Sequence, residues 1–189
     1  MPIVIGAKRE SDFTDPIGML SDCHRRIERF LQVLIAVTAE TKGAPLTGEQ
    51  RTAFETGLRY FREAAPKHTA DEEESLFPRL RQIGDNQVQA ALARIDSLEQ
   101  DHVRAEMRHQ EVDQLGRSWL TNGRLSADEA SRLAAVLAGL AELYRNHIGI
   151  EDHEVFPFAG RLLSEADRAA LGREMASRRG VSAGSFSSR

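Results

Sequence analysis

Apolar residues in this chain recur at helical spacing in four long stretches, while the strict alternation that marks a half-buried strand is nearly absent. The first stretch carries Leu20, Ile27, Phe30, Leu31 and Leu34. Asp15-Pro16 in front of it reads as an N-cap followed by a first-turn proline, and Lys42-Gly43 as its stop. Thr47 to Gln50 has the capping-box pattern and opens a second helix through Phe54, Leu58 and Phe61. Pro66 should kink or briefly break that helix, which resumes through Leu76 and ends near Gly84. Asp85 can cap a third helix through Leu92, Ile95, Leu98 and Trp119, closed by Asn122-Gly123. Ser126 to Glu129 is a second capping box, opening a fourth helix through Leu133, Leu137, Leu140, Tyr144 and Ile148, with Pro157 as a kink or end. Ser164 caps a short fifth helix to about Arg178.

Long helices joined by short connections predict an all-α fold: an antiparallel up-down-up-down four-helix bundle with a short extra C-terminal helix. The expected layout is an N-terminal arm over 1–14, the bundle over 15–163, and a short helix with a flexible tail over 164–189.

Composition narrows the function classes. A net charge of -4, with acidic and basic residues mixed along the chain, gives no footprint for nucleic acid. The opening "MPIVIGAKRE" is too short for a signal peptide or a membrane span, so the cytoplasm is the expected location and no membrane partner is expected. Cys23 is the single cysteine, which rules out an internal disulfide and any cysteine cluster for a metal. Protein partners are left open by the sequence.

The informative feature is a repeated phrase. "HTADEEESLFP" runs from His68 to Pro78 and "HIGIEDHEVFP" from His147 to Pro157. Two shorter relatives pair His24 with Glu28 and His102 with Glu106. Each long helix therefore carries one His-x-x-x-Glu, whose members lie one turn apart on the same side of the helix. Measured from the neighbouring turns, all four histidines fall roughly 27–32 Å along their helices, at a common level. Ion pairs on solvated faces have no reason to share a level.

The spacing also repeats: 78 positions separate His24 from His102, and 79 separate both His68 from His147 and Glu72 from Glu151. This is the signature of a helix pair used twice about a pseudo-twofold axis. Imidazoles and carboxylates together suit iron, manganese or zinc, and carboxylates can bridge two ions where imidazoles cannot.

These residues resemble the hemerythrin-like, or HHE cation-binding, family. The resemblance rests on the two phrases, on "DCHRRIERFL" around His24 and on "EQDHVRAE" around His102, and covers about Asp15 to Arg161. It implies a non-haem centre of two iron ions, bridged by carboxylates and an oxo or hydroxo group, with zinc or manganese as substitutes in a given preparation. The implied ligands are His24, His68, Glu72, His102, Glu106, His147 and Glu151, with Glu72 and Glu151 bridging. Glu106 departs from the oxygen-carrying members, which place a second histidine there, and so shifts the expectation from oxygen carriage toward oxygen or peroxide chemistry, sensing or metal handling. The implied small ligands are dioxygen, nitric oxide or peroxide. Catalase- or oxidase-like turnover, iron storage, delivery of iron for repair of damaged centres, and metal-dependent sensing stay open as alternatives. The ferritin-like proteins use Glu-x-x-His, the reverse order at a spacing of three, and fit poorly.

Other residues carry smaller expectations. Glu28 is the pseudo-symmetric counterpart of Glu106 but stays outside the ligand set, since the family takes only His from this helix; Glu73, Glu74 and Asp152 are assigned to solvent or to supporting contacts, and His153 to solvent. His109, with Asp113 one turn on, is read as a partly exposed pair that could alternatively line an access route. Tyr144, one turn before His147, is read mainly as core, with a hydrogen bond to a bound oxygen species as the alternative. Cys23 is a buried structural thiol.

Overall fold

A computed structural model describes residues 10–83 and 88–181, and the expected Gly84 stop, the Asp85 cap and most of the C-terminal tail lie outside them. The described elements are α1 (Pro16–Thr41), α2 (Gly48–Glu63), α3 (Ala65–Asp71), α4 (Phe77–Gln82), α5 (Val88–Asn122), α6 (Ala127–Ile150), α7 (Phe156–Leu162) and α8 (Glu165–Arg178). Two single π-turns, Glu72–Leu76 and Glu151–Val155, join α3 to α4 and α6 to α7. No strand occurs among the described residues. The continuous runs α1, α2–α4, α5 and α6–α7 form the four-helix bundle, and α8 packs across α1 and α3.

The helix ends follow their local chemistry. The Asp15 side chain accepts from the Gly18 N–H, and Pro16 occupies the first turn. Thr47 with Gln50 and Ser126 with Glu129 both close reciprocal capping boxes. Lys42 at φ 50° and Gly43 at φ 82° turn the chain out of α1, and Gly123 at φ 76° does the same after α5. Ser164 caps α8 by accepting from the Asp167 N–H.

The interior side chains form a seam with alternating steps of three and four residues, the geometry of nearly parallel packed helices. On α1 the seam is Leu20, His24, Ile27, Leu31, Leu34 and Thr38, and on α5 it includes Ile95, Leu98, His102, Ala105, Val112 and Trp119. On α2–α3 it is Phe54, Leu58, Phe61, Ala65, His68 and Glu72, and on α6 it is Leu133, Leu137, Leu140, Tyr144, His147 and Glu151. After His24 and His102 the next seam position comes three residues on, at Ile27 and Ala105. After His68 and His147 it comes four on, at Glu72 and Glu151.

Apolar side chains gather in two separate clusters along the bundle. One contains Ile27, Leu31, Phe54, Phe61, Leu137 and Trp119. The other contains Leu20, Phe77, Ile95, Phe156, Leu171 and Met175. The histidines fall between them in chain position, so a polar layer interrupts the core.

The prolines explain the irregular turns. Pro66 follows the break at Ala64, as its missing N–H requires. Pro78 and Pro157 do not end their helices. Each is preceded by a π-turn, closed by the Phe77 N–H to the Glu72 carbonyl and the Phe156 N–H to the Glu151 carbonyl. The wider turn replaces the α-type hydrogen bonds that a proline ring would disrupt.

Candidate metal centre

Six of the seven side chains expected from the sequence meet in the polar layer. His24, His68, Glu72, His147 and Glu151 are all at most 4% exposed, and His102 is 9% exposed. They form two groups, each able to offer one ligand atom per residue with all four atoms within 4.8 Å of one another. One group is His24, His68, Glu72 and Glu151; the other is Glu72, His102, His147 and Glu151. The two carboxylates belong to both groups, and each group adds two imidazoles.

The distances show side chains aimed at shared points. His24 Nε2 lies 3.0 Å from Glu151 Oε2 and 3.9 Å from Glu72 Oε1. His68 Nε2 lies 3.3 Å from Glu72 Oε1, and His102 Nε2 lies 3.4 Å from Glu72 Oε2. His147 Nε2 is 3.1 Å from Glu151 Oε2 and 3.1 Å from His102 Nε2. Despite this crowding, both oxygens of Glu72, both oxygens of Glu151 and His24 Nε2 lack a properly oriented hydrogen-bond partner among the described residues. Buried carboxylates left in this state are costly, and a cation at the point they face would satisfy them.

The outward faces of the imidazoles show what the rest of each phrase is for. Asp152 Oδ1 accepts from His24 Nδ1 at 3.0 Å and is itself held by the Ser21 hydroxyl at 2.9 Å. Glu73 Oε1 takes His102 Nδ1 at 2.8 Å. Phe156 stacks on the His24 ring at 5.1 Å, and Phe77 lies parallel to His102 at 6.4 Å between centroids. Thus Glu72-Glu73…Phe77 grips the histidine of α5, and Glu151-Asp152…Phe156 grips the histidine of α1. A carboxylate on Nδ1 fixes the tautomer that leaves the Nε2 lone pair pointing inward. The sequence signal for this role was the second acidic position repeated in both phrases. Asp152→Ala or Glu73→Ala should lower metal affinity about 10–100-fold, measured by competition with a chelator.

Electrostatics couple the layer tightly. Burial opposes charge on His24 and His102, but the carboxylates around them win and push both up to about 10. His68 is driven well below its usual value by burial and by the neighbouring His24 charge. Burial and the Glu151 charge raise Glu72 to about 7, against the pull of His102. For Glu151 the pull of His147 and His24 outweighs burial and holds it ionised.

At pH 7 a metal must therefore displace the protons of His24 and His102. We expect loading at pH 7 to release roughly two to three protons per centre, Glu72 adding its share to the two imidazoles, and the logarithm of affinity to climb by roughly two per pH unit from pH 8 toward pH 9. The slope should flatten as pH approaches the raised histidine values. Calorimetry in buffers of different ionisation enthalpy checks the proton count.

The structure does not bring Glu106 to the centre. It is exposed, and its Oε1 accepts from Gln110 Nε2 at 3.2 Å. Glu28, also expected outside the site, is exposed too. Both follow a histidine whose next seam position is three residues on, so the residue four on rotates to the rim of the helix. Glu106→Gln is expected to leave metal content unchanged, as read by elemental analysis of the purified variant.

His109 and Tyr144 form a pair at 2.8 Å, from His109 Nε2 to the Tyr144 hydroxyl. Asp113, expected beside His109, instead takes Arg62 at 2.6 Å and Arg117 at 2.9 Å. His153 is exposed, as expected, with Nδ1 2.8 Å from the Gly149 carbonyl. Cys23 is buried and reduced, with Arg26 Nη2 3.1 Å from its sulfur. A cavity of about 320 Å³ reaches His24, His68, His102 and His147 and is also lined by Tyr144 and His109.

The hemerythrin HHE cation binding domain matches the chain over residues 15–159. The chain belongs to the hemerythrin HHE cation-binding family. A Haemophilus influenzae protein described only as uncharacterized is 26% identical over 181 residues, covering 94% of this chain and 98% of its own length. That coverage carries the similarity beyond the HHE domain into α8. No described helix is long and apolar enough to cross a membrane. Membership and geometry agree on a metal-binding site in the bundle interior.

Proposed function

We propose that the chain holds two iron ions, one in each four-residue group, and binds or reacts with dioxygen, nitric oxide or peroxide. The observation that carries this reading is the sharing of Glu72 and Glu151 between two groups that each add two imidazoles. Two shared carboxylates suit a pair of ions a few Å apart, and mixed nitrogen and oxygen donors suit iron. Held by these six residues, a pair of ferrous ions would supply up to two electrons to a small ligand.

The protein's own part is to orient and exclude. Asp152 and Glu73 fix the imidazoles of His24 and His102, and Phe156 and Phe77 cover their faces. Six protein donors, with Glu106 at the rim, leave coordination positions open to a small ligand. The cavity that reaches all four histidines gives that ligand a route.

Anaerobic loading with ferrous iron, followed by elemental analysis and visible spectra on addition of dioxygen, nitric oxide or peroxide, tests the proposal. Two irons per chain and a new absorption band on ligand addition are expected. An iron-loaded protein whose spectrum ignores all three ligands, but which gives up its iron to an apo-acceptor, would instead mark the iron as cargo for delivery.

A further inference from the structure

Two hydroxyl-bearing residues, Thr69 and Tyr144, line the cavity beside the centre, and Tyr144 is the one held by a histidine. Tyr144 is buried on the α6 seam, one turn before His147, and its ring meets His147 edge-on with centroids 6.4 Å apart. Its oxygen is 2.8 Å from His109 Nε2. His109 is in turn covered by Phe61, stacked at 4.3 Å. Both residues line the cavity that reaches the four converging histidines.

The direction of that hydrogen bond decides what the hydroxyl can do. Burial lowers His109 to about 4, so the ring is neutral and carries one proton on either nitrogen. Its Nδ1 is sealed from solvent and has no partner among the described residues. A proton on Nδ1 would leave a buried N–H donor unmatched, the rarer and more costly defect. A proton on Nε2 leaves only an unused lone pair at Nδ1, and the Nε2–H then donates to the Tyr144 oxygen. With that lone pair engaged, the tyrosine proton is free to donate elsewhere. A phenol hydroxyl keeps its proton at neutral pH. The cavity lining includes the apolar side chains Ile27, Phe61, Ala105 and Ile148, which offer no acceptor, together with the carboxylates of Glu73, Glu74 and Glu106.

We infer that His109 sets Tyr144 as a hydrogen-bond donor to the outer atom of a small electron-rich ligand bound at the centre, selecting ligands that carry an acceptor there. This rests on the proposed metal-centred function and adds to it the ligand class: short polar species such as peroxide or a linear anion. Tyr144 contacts the ligand, and His109 is the positioning residue behind it.

Two measurements test this separately. In the metal-free protein, long-range proton–nitrogen correlation spectra of the His109 ring should show the proton on Nε2; a proton on Nδ1 would overturn the inference without touching the metal. In the iron-loaded protein, azide serves as the probe, titrated by its visible band. Tyr144→Phe should weaken azide binding roughly tenfold while iron content stays at the wild-type value. Unchanged azide affinity with intact iron overturns the inference alone. A wild-type protein that takes up no iron overturns the functional reading and this inference with it.

Discussion

Glu72→Ala and Glu151→Ala should each empty the whole centre, whereas His68→Ala or His147→Ala should strip one half first. The asymmetry follows from the sharing of the two carboxylates between both four-residue groups. With the proposed pair of ions bound, removing one carboxylate would take a donor from both ions at once and leave the other to face two cations alone. Removing His68 leaves the group of Glu72, His102, His147 and Glu151 intact. Metal content should fall from two per chain to near zero in the glutamate variants and toward one in the histidine variants at limiting iron. Elemental analysis after gel filtration reads this directly. Retention of two ions in either glutamate variant would show that the carboxylates do not bridge.

The second large effect is at the clasp between α8 and the first π-turn. Asp71, the residue before Glu72, is fully buried. It takes Arg178 Nη1 at 3.0 Å and Arg179 Nη2 at 2.6 Å, and Arg178 also reaches the Ser75 hydroxyl at 2.7 Å. Arg79 adds a bidentate pair to Glu174 on α8. The double variant Arg178→Ala/Arg179→Ala leaves the Asp71 carboxylate buried without a cation, a loss of about 3–5 kcal/mol. For a chain of this length that lowers the melting temperature by roughly 6–20 °C. Adding Asp71→Asn to the double variant should recover part of the loss, because the stranded charge is then gone. Thermal melts of the three metal-free proteins check both steps; a double variant that melts with the wild type would show that α8 does not brace the turn.

Much of this was legible in the chain, for identifiable reasons. Capping boxes at Thr47 and Ser126 act over three residues and need no tertiary information, so they appear where the local pattern places them. The paired phrases predicted convergence because a common level on four helices is a geometric constraint rather than a propensity.

Glu106 was the exception. A spacing of four puts two residues on one side of a helix, but the seam steps alternately by three and four. Phase within that seam separates Glu72 and Glu151, which point inward, from Glu28 and Glu106, which do not. The apolar positions carry that phase, since Ile27 and Ala105 occupy the place three residues after their histidines. The grip of Asp152 on His24 and of Glu73 on His102 crosses between helices, and no local pattern specifies which imidazole an acidic side chain will reach. The π-turns were likewise hidden, because a proline announces an interruption without saying whether the helix bends, ends or widens.

The most direct test is diffraction from iron-loaded crystals at a wavelength where iron scatters anomalously. The account predicts two anomalous peaks roughly 3.5–4 Å apart, lying between Glu72 and Glu151. His24 and His68 should flank one, and His102 and His147 the other. A single peak, or histidine rings turned away from the metal toward solvent, would contradict it.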